Sequence, residues 1–349
     1  MTGTGLKFTK TNEMTLTILF LGFIFGGILQ YARLNKYNTI SGLAILNDLT
    51  VAKALALAIG LGAIILNIEI GLGLAAYHTK PFILGGIVLG GLIFGSGMAI
   101  LGYCPGTLAV SLGQGSLDAL LGIIGGLSGG LVYTLLLPWT HSILGPDLGA
   151  INLNSLVGNH AGWFYFLVFI IGGLFIAIAF WLHKKDNRNI KWLYAGIGLA
   201  ILNAFVFMTT VTNRPIGAST SYPYVADWLT GLTNNDYFTK ISKPGSWELI
   251  FLTGAFISGV IISIIKKEFK FILIHDNWRK YKGQSKRERI IWSLAGGFIL
   301  IFGARMAGGC TSGHILSGGM QLAISSIVFA VFVFIGLLVT GRLFYRSSK

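Results

Sequence analysis

Gly303-Ala304-Arg305-Met306-Ala307-Gly308-Gly309-Cys310-Thr311-Ser312-Gly313-His314 decides how this chain is read. A cysteine, an arginine, a histidine and several glycines stand here inside an otherwise apolar span. A weaker copy lies upstream, as Gly95-Ser96-Gly97-Met98-Ala99 and then Gly102-Tyr103-Cys104-Pro105-Gly106-Thr107. Both cysteines are followed seven residues on by a serine (Ser111, Ser317) and nine residues on by a glycine (Gly113, Gly319). The chain has only 2 cysteines, and each holds the same place in its copy.

Around these motifs the chain is built for lipid. Its 349 residues are 54% hydrophobic and 11% charged, against about 25% charged in a soluble domain. Repeated apolar runs, each of a length that crosses a bilayer, make it an all-α polytopic membrane protein. The 49 glycines suit close approach between spanning helices. A net charge of +14 invites a nucleic-acid reading, but the basic residues gather between the spans, which excludes it. Two cysteines in apolar surroundings leave a disulfide open.

About nine transmembrane helices are expected, near 14–30, 49–67, 82–102, 116–137, 162–182, 192–211, 246–265, 290–308 and 320–341. The first has no small-residue cleavage site after it and is kept as a span rather than a signal peptide. Four shorter segments, about 39–46, 105–113, 216–222 and 312–319, are too brief to cross and read as re-entrant helices. Lys184, Lys185, Arg188, Lys191, the basic 266–289 stretch and Arg342, Arg346 and Lys349 fall on one side with Arg33 and Lys36. Lys7, Lys10, Lys80, Arg214, Lys240 and Lys243 fall on the other. The positive-inside rule makes the first side cytoplasmic, with the N-terminus outside and the C-terminus inside.

The whole chain, 1–349, reads as a single membrane domain: repeat one about 14–137, a connecting span about 162–182, and repeat two about 192–342. An offset of five spans turns the second half upside down. In transporters of that design the substrate site lies at broken helices near the repeat interface.

Cys104 and Cys310 lead the candidate residues. A thiol in apolar surroundings stays protonated, and a neutral S–H is a weak donor suited to a soft anion that must bind briefly and leave. Pro105, Gly106 and Thr107, and Thr311, Ser312 and Gly313, would open two short helices whose unpaired N–H groups are natural anion seats. Arg305, inside the eighth span, either draws an anion into the pathway or closes an internal ion pair. His314 either donates to the substrate or bonds a freed carbonyl. Ser111, Ser317 and Gln114 are secondary candidates. Carboxylates are scarce in the expected membrane interior, which argues against a relay of buried acids. Nothing in the pattern asks for a cofactor, and the motifs are short of the four ligands a zinc-type site takes.

With these motifs the chain resembles the YeeE/YedE sulphur-transport family. The resemblance also rests on Arg214-Pro215-Ile216-Gly217-Ala218-Ser219-Thr220, similar to that family's Arg-Pro-Leu-Gly-x-Ser-Thr element, and covers essentially the whole chain. It implies an hourglass-like inverted-repeat importer of thiosulfate in the inner membrane, with roles for Arg214, Ser219 and Thr220 beside the cysteines. It implies thiols near the constrictions that pass the anion along by weak S–H···S contacts, here Cys104 and Cys310. It also implies a small cytoplasmic sulphur-carrier partner of the TusA type. Family members commonly carry a further cysteine after the first span, where this chain reads Tyr31-Ala32-Arg33-Leu34-Asn35; an amide such as Asn35 is the available substitute. Two other readings stay open at this point: a membrane-embedded sulphur-transfer enzyme working through a cysteine persulfide, and a transporter of a selenium compound.

Overall fold

A computed structural model describes residues 10–158 and 160–346; Lys7 and Lys349, counted above in the charge pattern, lie outside them. The fold is helical. In chain order the elements are α1 (Lys10–Tyr31), α2 (Tyr37–Ala44), α3 (Thr50–Gly71), α4 (Leu84–Leu101), α5 (Pro105–Gly113), α6 (Leu117–Leu144) and α7 (Leu153–Val157). There follow α8 (Ala161–Lys185), α9 (Lys191–Phe207), α10 (Ser221–Thr230), α11 (Asp236–Ile265), α12 (Asp276–Lys282) and α13 (Lys286–Met306). The wide π-type helix π1 (Thr311–Gly318) and α14 (Ile324–Phe344) complete the chain.

Among the described residues, 8 helices are long and apolar enough to cross a membrane, with α4 and α5 counted as one stretch, Leu84–Gly113. The sixth expected span is α9, with 17 residues. Several boundaries differ from expectation, and α6 runs on to Leu144. The helix expected from 246 begins at Asp236, because Asn235 caps it by accepting from the Phe238 N–H at 2.7 Å and the helix continues through Pro244. The segment expected at 216–222 is extended up to Ser219, and its helix is α10, from Ser221. Pro215 and Gly217 are poor helix formers, so the helix starts beyond them.

Packing follows a regular scheme. α4 packs on α14 and α13 on α6, while α4 and α13 also pack on each other. α1 packs on α11 and α3 on α9, and α1 touches α9. Glycine makes the α4–α13 contact possible: a Cβ on Gly97 would lie 2.4 Å from the Leu300 nitrogen, and one on Gly303 2.5 Å from that of Phe94. α8 lies against α3 with most of its surface outward; only Phe164, Val168, Gly172 and Ala179 of it are buried.

Two apolar cores result, one built mainly on α2, α4, α13 and α14, the other on α1, α3, α9 and α11. The two short helices carrying the cysteine motifs straddle them. Leu108 and Ala109 of α5 join the first core and Val110 the second. Ile315 of π1 joins the first and Leu316 the second.

Candidate functional site

Each cysteine is reached by the same backbone device. α4 ends at Gly102, in the left-handed region at φ +80°, and α13 is followed by Gly308 at φ +72°. Each of these glycines stands two residues before its cysteine, and the left-handed turn breaks the spanning helix and redirects the chain. Cys104 is then the N-cap residue of α5, and Cys310 that of π1. Pro105 occupies the first turn of α5, where its missing N–H costs nothing. The Thr107 hydroxyl accepts from the Cys104 N–H at 2.9 Å and donates to the Cys104 carbonyl at 3.0 Å, fixing that turn.

The two motifs meet at one narrow cavity of about 60 Å³. Cys104, Gly106 and Thr107 form one part of its wall, and Thr311 and Ser312 another; Phe25, Leu29, Met98 and Leu316 are among its apolar lining. That is well below the roughly 300–1,000 Å³ of an ordinary ligand pocket, so this is a constriction. Both cysteines are free; Cys310 is buried and Cys104 partly so. The Cys310 sulfur lies 3.3 Å from the Ser312 hydroxyl, and the Thr311 hydroxyl is buried with no partner among the described residues. The neck therefore offers the Cys104 thiol, hydroxyls and two helix N-termini in an apolar wall, a set of weak donors with no lysine or arginine in the lining, and Cys310 stands behind it at the start of π1.

The remaining expected residues are mostly engaged within the protein. His314 is fully buried; its Nε2 lies 2.8 Å from the Ala307 carbonyl and its Nδ1 3.0 Å from the Ser326 hydroxyl. The carbonyl can only accept, so Nε2 carries the proton and Nδ1 accepts from Ser326. No nitrogen is left for substrate or for the thiol of Cys310. Ser317 donates toward the Asn203 side-chain oxygen and the Ile216 carbonyl, each at 3.1 Å. Its counterpart Ser111 donates to the Asn35 carbonyl at 2.6 Å. Asn35 itself donates to the Gln114 side chain at 2.9 Å and toward Ser111 at 3.3 Å, so its amide hydrogens are used inside the protein. Gly313 lies in π1 beside Lys80.

Arg305 donates from Nη1 to the Thr220 hydroxyl at 2.9 Å, and its Nε is buried with no partner among the described residues. Arg214 lies over the Trp247 ring, 4.4 Å from its centroid, and 3.9 Å from a Glu248 oxygen. The Ser219 hydroxyl is buried and without a partner among the described residues.

Two residues of this region escape a reading of the sequence. Glu248 of α11 is a buried carboxylate whose Oε2 accepts from the N–H groups of Thr220 at 2.6 Å and Ser221 at 3.3 Å. It fills the anion seat at the start of α10 from within, whereas those of α5 and π1 have no such carboxylate among the described residues. Lys80, counted above only as a loop charge, reaches in to donate to the Gly308 carbonyl at 2.5 Å. Burial, and next the Arg305 guanidinium, push its amine down to about 8. A run of three residues, His78 to Lys80, is pinned to make this reach: the His78 N–H donates to Gln321 at 2.6 Å, Asn152 to the Thr79 hydroxyl at 3.1 Å, and Ser325 to the Lys80 carbonyl at 3.0 Å.

A separate buried network stands beneath the first motif. Asp118 and Arg289, both fully buried, form an ion pair. Tyr103, the neighbour of Cys104, places its hydroxyl 3.2 Å from Asp118 and 3.0 Å from His275. The strand-like stretch before His275 bonds the chain leaving α5: Ile272 N–H donates to Gly115 at 3.0 Å, and Leu117 N–H to Ile272 at 2.8 Å. Asp118 and Glu248 are carboxylates inside the expected spans, each held by donors rather than left as a proton carrier.

Comparison with known proteins agrees with this architecture. The family described as Sulphur transport matches residues 32–339. The thiosulfate transporter TsuA of Spirochaeta thermophila is 26% identical over 341 residues, covering 93% of this chain and 97% of that protein. The thiosulfate transporter TsuA of Escherichia coli K12 is 22% identical over 363 residues, covering 95% of each.

Proposed function

Because the chain belongs to the sulphur transport family, we propose that it carries thiosulfate inward across the inner membrane, with Cys104 and Cys310 as successive transient contacts. The observation that carries the reading is the shared neck: two cysteines, each the N-cap of a short helix, bring their first turns to one apolar cavity. A thiosulfate ion entering it meets S–H and O–H donors and helix N-termini, but no lysine or arginine among the lining residues to hold it fast. Arg305, near the second motif, supplies attraction, and Ser219 and Thr311 hold unused hydroxyls.

A sulphur-transfer enzyme would need a base beside its nucleophilic thiol. His314 is the histidine of the Cys310 motif, and both its nitrogens are occupied. Transport without a covalent step is the reading that fits.

The packing scheme supports an inverted repeat, with α1, α3, α4 and α6 answering to α9, α11, α13 and α14. Under that correspondence the α4–α14 contact becomes α13–α6, the α1–α11 contact becomes α9–α3, and the α4–α13 and α1–α9 contacts map onto themselves. Orientation follows the charges, with the N-terminus outside and the basic 266–289 region in the cytoplasm. That region is the docking face for a TusA-like sulphur carrier.

The test is growth of a bacterium lacking its own thiosulfate and sulfate uptake, complemented with wild type, Cys104→Ala or Cys310→Ala at matched expression. Growth on thiosulfate with wild type, lost in both variants, is expected. Growth that survives both substitutions returns the cysteines to ordinary packing, and a wild type that fails despite good expression points to another substrate.

A further inference from the structure

α8 is the spanning helix with no counterpart in the repeat proposed above. What it does form is one wall of a crevice of about 500 Å³. Phe175, Ile178 and Leu182 of α8 line it, together with Val331, Ile335 and Leu338 of α14 and residues of α3. It also touches Ile315 and Gly319 of π1, and Ser326, whose hydroxyl holds His314 at 3.0 Å. Ser326 is the single polar residue of the lining. An apolar space of this kind stays dry, and it lies among membrane-spanning helices, so hydrocarbon is what can fill it.

Length and charge name the occupant. Along α14 the crevice runs from Ile327 to Leu338, a rise of about 16 Å at about 1.5 Å per residue. A bilayer's hydrocarbon core is about 30 Å thick, so the crevice is one leaflet deep. Each of its two long walls ends in a cation. A step of three or four residues keeps to one helix face, and it leads from Leu182 to Lys185 and from Leu338 to Arg342. Both cations are exposed. Lys185 lies over the Trp181 ring, 3.9 Å from its centroid, and tryptophan at a span's end belongs to the headgroup level. Asp186, the acid that follows, is already held by Lys53 and Arg188.

We propose that this crevice binds an anionic phospholipid, with one acyl chain between α8 and α14, its end on π1, and its phosphate between Lys185 and Arg342. The leaflet concerned is the cytoplasmic one in the orientation above, and that surface is negative. A helix of a second copy would cross both leaflets, whereas this crevice stops at π1 and carries its cations at one end. The bound chain has a structural effect. It replaces a void with carbon against π1, the helix that Cys310 caps, and a void forfeits dispersion contacts along its whole lining. The proposal goes beyond the transport reading and does not depend on what the protein carries.

The experiment is native mass spectrometry of the full chain, delipidated in detergent, with phosphatidylglycerol or phosphatidylcholine of the same acyl chains added. Wild type is expected to retain one phosphatidylglycerol in preference to phosphatidylcholine. Lys185→Gln and Arg342→Gln are each expected to weaken phosphatidylglycerol binding about fivefold. Lys240→Gln, on α11 and on the opposite side in the proposed orientation, is expected to leave it unchanged. Ala330→Trp, which puts a ring into the crevice, is expected to lose both lipids. Bound phosphatidylglycerol is also expected to slow the reaction of Cys310 with a thiol reagent, measured in Cys104→Ala. Equal retention of the two lipids by wild type overturns the proposal, as does a preference that survives both charge substitutions. Those comparisons stand even where Ala330→Trp does not fold. A dimer that Ala330→Trp breaks and phosphatidylglycerol does not displace gives the crevice to a second copy and overturns it as well. Binding of many lipids without saturation, indifferent to every variant, marks an adventitious additive only and has the same force.

Discussion

A single atom of geometry separates the two glycine turns that precede the cysteines. Gly308 has open space where a Cβ would go, whereas a Cβ on Gly102 would lie 2.2 Å from the Tyr37 ring. Alanine at Gly308 therefore meets only left-handed strain and is expected to cost about 1 kcal/mol. Alanine at Gly102 adds a clash with a buried ring and should cost more. Thermal unfolding of both variants in detergent checks the order, and a larger loss at Gly308 would contradict the geometry. At the cysteines, replacing Cys310 with serine keeps a donor and is expected to retain more uptake than alanine. A neutral hydrogen bond is worth about 1 kcal/mol, so the two variants should differ about fivefold in initial rate. The cysteines and their glycines were legible because a motif and its copy are local in sequence. The state of His314 was not, since it depends on Ala307 and Ser326 being brought to either side of one ring. Lys80 and Glu248 were invisible for the same reason: nothing near them in sequence marks them, and their partners belong to other elements.

At the scale of elements, the short helices differ in what occupies their starts. α10 holds Glu248 at its N-terminus, so Glu248→Gln exchanges a charge-assisted acceptor for a neutral one and weakens the hold on Arg214. A loss of about 1–3 kcal/mol is expected from this buried network, read as a lowered Tm with thiol accessibility at Cys310 increased. An unchanged Tm would mean that the carboxylate is not the cap described. The α4–α13 seam gives a second check. Gly303→Ala places a methyl against the Phe94 nitrogen at 2.5 Å, and overpacking of this kind costs about 1–3 kcal/mol. Hydropathy located the long helices well because apolar length is a strong signal. It missed the first turns of α11, where polar Asp236, Lys240 and Lys243 and the interior Pro244 disguise a helix. It also set α10 too early, because the Pro215–Gly217 turn is visible in sequence and the helix following it is not.

The whole molecule is organised by orientation. With the N-terminus outside, single cysteines introduced at Lys280 or Lys286 should react with a membrane-impermeant thiol reagent only in inverted vesicles. Labelling in intact cells would reverse the topology and exchange the roles of the two cysteine motifs along the path. A sulphur carrier docked on this basic face should dissociate as salt is raised, since exposed charge pairs are screened within about 8 Å at physiological ionic strength. The fold class was readable from composition. The strap from Ile272 to His275 was not, because its backbone pairing with Gly115 and Leu117 has no hydropathy signature.

The neck between the two short helices has a further consequence. At about 60 Å³ and walled largely by carbon, it is a constriction of the apolar kind that interrupts ion flow by dewetting. A neck that dewets in this way would let a cell carry many copies without short-circuiting the voltage across its membrane. In a planar bilayer the current should stay at baseline in chloride or potassium alone.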